Sequence, residues 1–385
     1  MNKHSNLKHS LWGVLALGIL VAGVLVLPGT VSAGSETRSS KLETGRQAAP
    51  ARNAVTASAA RKGIIVFQTS SGGVIYAVNP DGTNLYYLTT GMDPALSPDG
   101  KAVAFTRWSN SNTGEPGSLW TINVDGTGAR LISRYLHQPK SPSWSPDGRS
   151  IVVSAQDGGA IYDERQCFPL GGNGRPPIPP GAKDITTDNG QLCFTAPANP
   201  YWALRTVNVG TGTIQDLPRD RHYFAPTWDP ANAWHIVFDD GDRGLMNMDT
   251  VRQTTWPLKS DLAQRAPVFS PDGKKLATTY RQNDHFEVHV LNADGTGDVR
   301  LTETPLTAIA DQRIKGQEAR SWNNASPAWS RDGSQIAFIT DRNGPWEIWI
   351  MYADGSGQHP LLPAATAAKL NIQYNGMDER VISWR

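Results

Sequence analysis

The sequence predicts an all-β chain: a six-bladed β-propeller of four-stranded antiparallel blades, its ring closed by the C-terminal strand. Three observations carry this. A small-residue–Pro phrase ending in Ser-Pro-Asp-Gly returns along the chain. Each copy is followed by a short apolar run and then by a second turn phrase. The first unit lacks a strand that the chain's last residues can supply.

The first phrase stands at Pro94–Gly100, Pro142–Gly148 and Pro267–Gly273. It stands with one change at Pro327–Gly333, where Arg331 replaces the second proline, and in worn form at Pro226–Asn232. The apolar runs that follow are Ala102–Phe105, Ile151–Val153, Ile236–Phe238, Leu276–Thr278 and Ile336–Phe338. They are short, β-branched or aromatic, and bounded by turn residues, which predicts strands. A second phrase, Asn-x-Asp-Gly or a variant, begins at Asn79, Asn123, Asn208, Asn247, Asn292 and Tyr352. Asp-Gly between such runs is a hairpin signal, because Gly accepts positive φ and Asp bonds back to the turn backbone. Each unit then reads as inner strand, Ser-Pro-Asp-Gly turn, second strand, loop, third strand, Asp-Gly turn, outer strand. Units of about 40 residues on this plan are propeller blades.

The first unit opens at Gly63 directly with a second strand, Ile64–Phe67, and Arg380–Arg385 is one short strand with nothing after it. Joining the two closes the ring and removes exposed sheet edges. The Pro-x-Trp-Ser-Pro-Asp-Gly phrase with its downstream Asn-x-Asp-Gly-Thr-Gly resembles the WD-type repeats of the TolB-like six-bladed propellers over roughly residues 63 to 385. The resemblance implies an exported binding or scaffolding module; similar propellers also cap serine peptidases. Residues 34 to 62 are too short and too polar for the extra N-terminal domain that full-length TolB carries. Its transport role is therefore not carried over.

Lys3 and Lys8 precede an apolar stretch from Leu11 to Leu27, and Val31-Ser32-Ala33 offers small residues before Gly34. This predicts a signal peptide over 1–33, the alternative being an uncleaved N-terminal membrane anchor. No Cys stands near the site, so a lipoprotein anchor is not supported. Residues 34–62 read as a disordered linker and 63–385 as the propeller, with insertions at about 156–200 and 302–326. The chain is therefore expected to be exported, periplasmic or extracellular. It would touch a membrane only through the N-terminal segment if that stays.

The net charge is +1 with no charge run, which disfavours nucleic acid. Most of the 13 Trp fall at repeat positions and read as blade packing; Trp108 and Trp322 do not. Cys167 and Cys193, the two cysteines, share one insertion. In an exported chain they are expected to form a disulfide, worth roughly 3–4 kcal/mol in the chain-entropy model.

In such a blade the two short turns lie on one end of the ring; the second-to-third-strand loops and the blade-to-blade connections lie on the other. Both insertions and the loop from Trp108 to Gly117 fall on that second, loop-rich end, where binding residues are expected. The candidates are Arg107 and Trp108, then Tyr162, Asp163, Glu164 and Arg165. Asp239, Asp240 and Arg243 follow, then Asp284 and His285, then Trp322, Asp341 and Arg342. An aromatic and Arg mixture suits a protein or peptide partner of the cell envelope.

Three chemical alternatives are weaker. Asp239, Asp240 and Asp242 resemble part of a calcium loop without its distal Glu, and read equally as an acidic turn. His137, His222 and His285 could hold a catalytic metal only if three blades bring them together. No Gly-x-Ser-x-Gly nucleophile elbow is present, and six blades leave no room for a hydrolase domain. The expectation is a non-catalytic binding propeller with no cofactor. The alternative is a propeller hydrolase or lyase with a metal or carboxylate site at the channel mouth.

Overall fold

The computed structural model describes residues 63 to 108, 117 to 160, 162 to 170, 178 to 316 and 318 to 385. The expected signal peptide and linker lie outside them. The chain divides into two compact units. One holds the described part of 162–198; the other holds the described residues from 63 to 160 and from 199 to 385.

The larger unit is a ring of six antiparallel blades. Blade 1 has spatial strand order Ile382–Trp384, Ile65–Gln68, Val74–Val78, Tyr86–Thr90. Its C-terminal strand pairs with the first strand, Ile65 opposite Trp384 and Phe67 opposite Ile382. Blade 2 runs Met92–Leu96, Ala102–Arg107, Gly117–Asn123 and then into a long strand, Arg130–Trp144. That strand is shared: its first half is the outer edge of blade 2, and its second half is the inner strand of blade 3. Blade 3 continues with Ser150–Ala160, Asn199–Asn208 and Ile214–Asp216. Blades 4, 5 and 6 begin at Tyr223, Gln264 and Asn324 and follow the same order.

The strands read as continuous apolar runs because each blade is buried on both faces. Successive side chains point to opposite faces. Ile65 and Phe67 therefore pack toward blade 6, while Val66 packs toward blade 2. The buried residues fall into six clusters, one at each seam between neighbouring blades. Truncating a fully buried aromatic such as Phe238 at the seam of blades 3 and 4 would cost about 3–5 kcal/mol.

The repeated turn works through its aspartate. Ser97 Oγ donates to Asp99 Oδ1 at 2.6 Å, Lys101 N–H donates to the same oxygen, and Ala102 N–H donates to Ser97 Oγ. The pattern repeats at Asp147, Asp272 and Asp332. Gly100 closes the turn at φ +73°.

A second repeated device was not foreseen. In five inner strands the residue before the first proline has positive φ: Asp93, Ser141, Ala225, Ala266 and Ser326, between 42° and 53°. Each marks a break in register against the second strand. Pro94, Pro142, Pro226, Pro267 and Pro327 cannot donate to the ladder, so the strand bulges there. At two of the bulges the carbonyls of Ala225 and Pro267 accept hydrogen bonds from Arg380.

The smaller unit is a three-stranded sheet: Glu164–Pro169, Gln191–Ala196 and Lys183–Asp188, with the middle range central. Cys167 and Cys193 sit directly opposite and are disulfide-bonded.

Candidate functional site

The loop-rich end of the ring is set by topology: strand ends after the second strands, starts of the third strands, and the connections between blades. Arg107 ends the second strand of blade 2. Its guanidinium donates to Thr90 O and Thr89 Oγ1 and lies over the Phe105 and Trp120 rings. Trp108 donates from Nε1 to Pro139 O at 2.9 Å and its ring faces the Lys140 ammonium.

On blade 4, Asp239 pairs with Arg265 at 2.6 Å. Asp240 pairs with Arg243, which also reaches Asp220 and Tyr223 Oη. Asp242 meets His222 Nδ1 at 2.8 Å. The three carboxylates of the calcium candidate are thus taken by three different partners. On blade 5, His285 lies between Asp284 and the buried Glu287. Thr302, His285 and Asn324 all bond Glu287, and burial still raises its carboxyl above the ordinary value. On blade 6, Asp341 holds Arg320 and Asn323, and Trp322 N–H donates to Thr304 Oγ1. Arg342 stacks over Trp322 and Trp349, and burial lowers its guanidinium to about 10. Most of these propeller candidates hold the blade ends together. Among the described residues no three His, Cys, Asp or Glu are grouped to hold a metal, so His137, His222 and His285 are not brought together.

Tyr162, Asp163, Glu164 and Arg165 belong to the smaller unit and are exposed. Asp163 accepts from Ala198 N–H and pairs with Lys183; Arg165 donates to Asp184 O and Thr186 Oγ1.

Sequence reasoning missed the segment before the closing strand. After a short helix, α2 (Ala364–Leu370), residues 371 to 381 approach the ring axis from the loop-rich end and bond several inner strands. Lys140 Nζ pairs with Asp378, and Ser141 Oγ donates to Asp378 O. Arg380 N–H and Ser141 N–H donate to the two oxygens of Asp93. Val381 N–H donates to Ser326 Oγ, and Arg380 Nη2 donates to Ala225 O and Pro267 O. One segment therefore touches blades 2, 3, 4, 5 and 6. Burial lifts Asp93 to about 6, although Lys140 opposes the rise. Burial lifts Asp239 to about 7 against Arg265. Burial alone would lower the Lys140 ammonium, but Asp378 and Asp93 outweigh it and hold it above the ordinary value.

Two exposed apolar residues mark the connection between blades 5 and 6. It folds as a helix, α1 (Leu306–Ile314), with none of its residues buried; Leu306 is 86% and Ile314 82% exposed. Trp108, Tyr135 and Leu262, on the same end by topology, are exposed as well.

No family model matches the chain. It is 25% identical over 177 residues to the uncharacterized peptidase YuxL of Bacillus subtilis, covering 46% of this chain and 24% of that protein. It is 38% identical over 72 residues to dipeptidyl-peptidase 5 of Porphyromonas gingivalis, covering 17% of this chain and 10% of that one. The chain thus spans a quarter or less of the length of these two relatives. Among solved structures it is similar to TolB from Acinetobacter baumannii, with TM-score 0.55 and 15% identity over 84% of this chain and 66% of that one. It is also similar to a chain of the nidogen/laminin complex, with TM-score 0.52 and 11% identity over 83% and 97%. At these identities the likeness is one of fold.

Proposed function

We propose that this chain, a TolB-like β-propeller, is an exported, non-catalytic module that binds a protein or peptide of the cell envelope at its loop-rich end. The observation that carries the reading is α1. A nine-residue helix is marginal by itself, and here nothing of it is buried while Leu306 and Ile314 stand in water. A partner that covers those two side chains would remove that apolar exposure and order the helix. Trp108, Tyr135 and Leu262 extend the apolar content around the same end. The ionisable groups there are mostly spent on one another, which suits recognition by shape and apolar contact more than proton transfer. The disulfide supports a place outside the cytoplasm.

The test is a capture from envelope extract with three forms of the chain. One is unaltered, one carries Leu306→Ser with Ile314→Ser, and one has residues 162–198 replaced by a short turn. A partner retained by the unaltered form and lost from the Leu306/Ile314 variant supports the reading. Its loss from the third form alone would move the site to the smaller unit. Equal capture by all three, or by none, would sink it.

A further inference from the structure

Blade 4 breaks the repeat twice at the turn end, the end of the ring where the Ser-Pro-Asp-Gly turns lie. In blades 2, 3, 5 and 6 the inner and second strands rejoin at Leu96 with Val103, Trp144 with Ile151, Phe269 with Leu276 and Trp329 with Ile336. In blade 4 Trp228 pairs with Ile236, so the turn is one residue longer. Asp229 stands where the others carry the turn serine. Asn232 Nδ2 donates to Asp229 Oδ2, and His235 Nδ1 bonds the same oxygen at 2.9 Å. His235 Nε2 meets Asn247 Oδ1, also at 2.9 Å.

The altered turn carries Trp234 at the position that Lys101, Arg149, Lys274 and Ser334 hold in those four blades. Across the same sheet Trp256 stands on the outer strand, opposite Asn247. That outer position holds Arg130, Gln215, Val299 and His359 in the four blades. In blade 1 it holds Tyr86, whose hydroxyl is spent on Val124 O. Blade 4 thus places two indoles where its siblings place mostly polar side chains. Trp234 and Trp256 also stand outside the repeat positions of the packing tryptophans.

Both indoles touch one imidazole. Trp256 stacks on His235 with centroids 5.9 Å apart and planes 14° from parallel, and the Trp234 centroid lies 5.5 Å away. With both nitrogens taken, His235 offers the pair only its ring. Trp234 remains 41% and Trp256 39% exposed. Trp144, Trp228 and Trp329 donate their indole N–H to Ala95 O, Ala233 O and Val268 O. Trp234 and Trp256 make no such bond among the described residues.

A large exposed aromatic surface gains little from packing and marks a contact. The charges beside this one are answered: His235 by Asp229, and Arg252 by Asp249 at 3.7 Å. An uncharged ligand therefore fits. Exposed Gln253 and Thr254 and the two indole N–H groups add neutral hydrogen-bonding capacity around the rings. The ligand should then show C–H bonds on its face and hydroxyls at its rim. A β-linked pyranose with equatorial hydroxyls does so, and its weakly positive C–H face meets the negative face of an aromatic ring. A lipid surface calls for unpaired cations beside an apolar face. Here Arg252 is paired, and Val251 is the one exposed aliphatic residue of that turn.

We propose that Trp234 and Trp256, braced by His235, form a stacking platform on blade 4 for an uncharged β-linked oligosaccharide. The site does not rest on the loop-rich reading.

The test titrates the purified chain with the β-1,4-linked hexamers of glucose and of N-acetylglucosamine, following tryptophan fluorescence and binding heat. At least one hexamer is expected to bind at submillimolar concentration. The variants restore what sibling blades carry: Trp234→Lys, as at Lys101 and Lys274, and Trp256→Gln, as at Gln215. Each single variant is expected to bind that hexamer at least threefold more weakly, and the double variant at least tenfold more weakly, at an unchanged melting temperature. Trp108→Ala, at the loop-rich end, is expected to leave the affinity unaltered. Binding of either hexamer with these losses supports the proposal. No binding of either at millimolar concentration, or full affinity in the double variant, would overturn it. Sedimentation with anionic vesicles that needs both indoles, in a chain that binds neither hexamer, would overturn it in favour of a membrane contact.

Discussion

The two ends of the channel are built by the same inner strands and are lined by different side chains. At the loop-rich end the cations face carboxylates: Lys140 meets Asp378, Arg265 meets Asp239, and Arg243 meets Asp240. At the turn end Arg331, Arg380 and Arg385 share aromatic walls with no side-chain carboxylate among the lining residues. The first end is filled by the chain's own segment 371–381; the second is left as a cavity. A repeat supplies walls, and the departures from it supply charge.

The strongest way to break the contrast is at Lys140. Lys140→Met removes the cation facing Asp378 while Asp93 and Glu379 stay buried nearby. An uncompensated buried charge costs about 3–5 kcal/mol, and urea denaturation should show a loss of that size. A loss under about 1 kcal/mol would mean that the network contributes no more than a surface ion pair.

The smaller unit offers a comparison of another kind, because its disulfide sits between paired strands. Replacing Cys167 and Cys193 by Ser removes a crosslink worth roughly 3–4 kcal/mol. Limited proteolysis should then cut within residues 162 to 198 while the oxidised chain resists.

pH sharpens the comparison. Asp93 and Asp239 have folded values of about 6 and 7, above their ordinary 3.8. The folded chain therefore holds these protons more tightly than the unfolded chain does. Their contribution is complete below about pH 4 and is lost as pH rises through the two folded values. The turn aspartates act in the opposite sense. Their serine hydroxyls, and for Asp332 first the Ser334 amide, lower Asp99, Asp147, Asp272 and Asp332. That contribution disappears as pH falls through their depressed values. The melting temperature should be higher at pH 5 than at pH 8, with a smaller slope between them in Asp239→Asn. An equal slope in both proteins would remove Asp239 from the account.

The smallest effect belongs to the repeated turns. Asp272→Ala deletes the acceptor of Ser270 Oγ and Lys274 N–H and should cost about 1 kcal/mol. Asp147→Ala should cost the same, since the local bonds are alike. A large difference between the two would show that the turns are not interchangeable.

The ring was legible because its determinants are local. Turn chemistry spans Ser97 to Ala102, and strand patterning needs only a few residues, so copies reveal themselves in register. The closing strand was legible by subtraction, since one unit lacked an inner strand and Arg380–Arg385 had none to pair with. The candidates were read from loop position alone, and position does not say which side chains are already occupied. Asp239 and Arg342 were named as partner-binding and are held by Arg265 and by the Trp322 and Trp349 rings. The repeat tryptophans were read only as packing, yet Trp144, Trp228, Trp329 and Trp384 also wall the cavity.

The sequence by itself determined the number of blades, the turn that joins the first two strands of each, and the partner of the last strand. Each of these depends on bonds between residues near in sequence or on a count of strands. Only the tertiary structure decided that residues before the inner-strand prolines adopt positive φ, that 371–381 threads the loop-rich end, and that Arg331, Arg380 and Arg385 converge. The physical reason is closure. Six strands meeting around one axis bring together side chains far apart in sequence, and no local window contains that meeting.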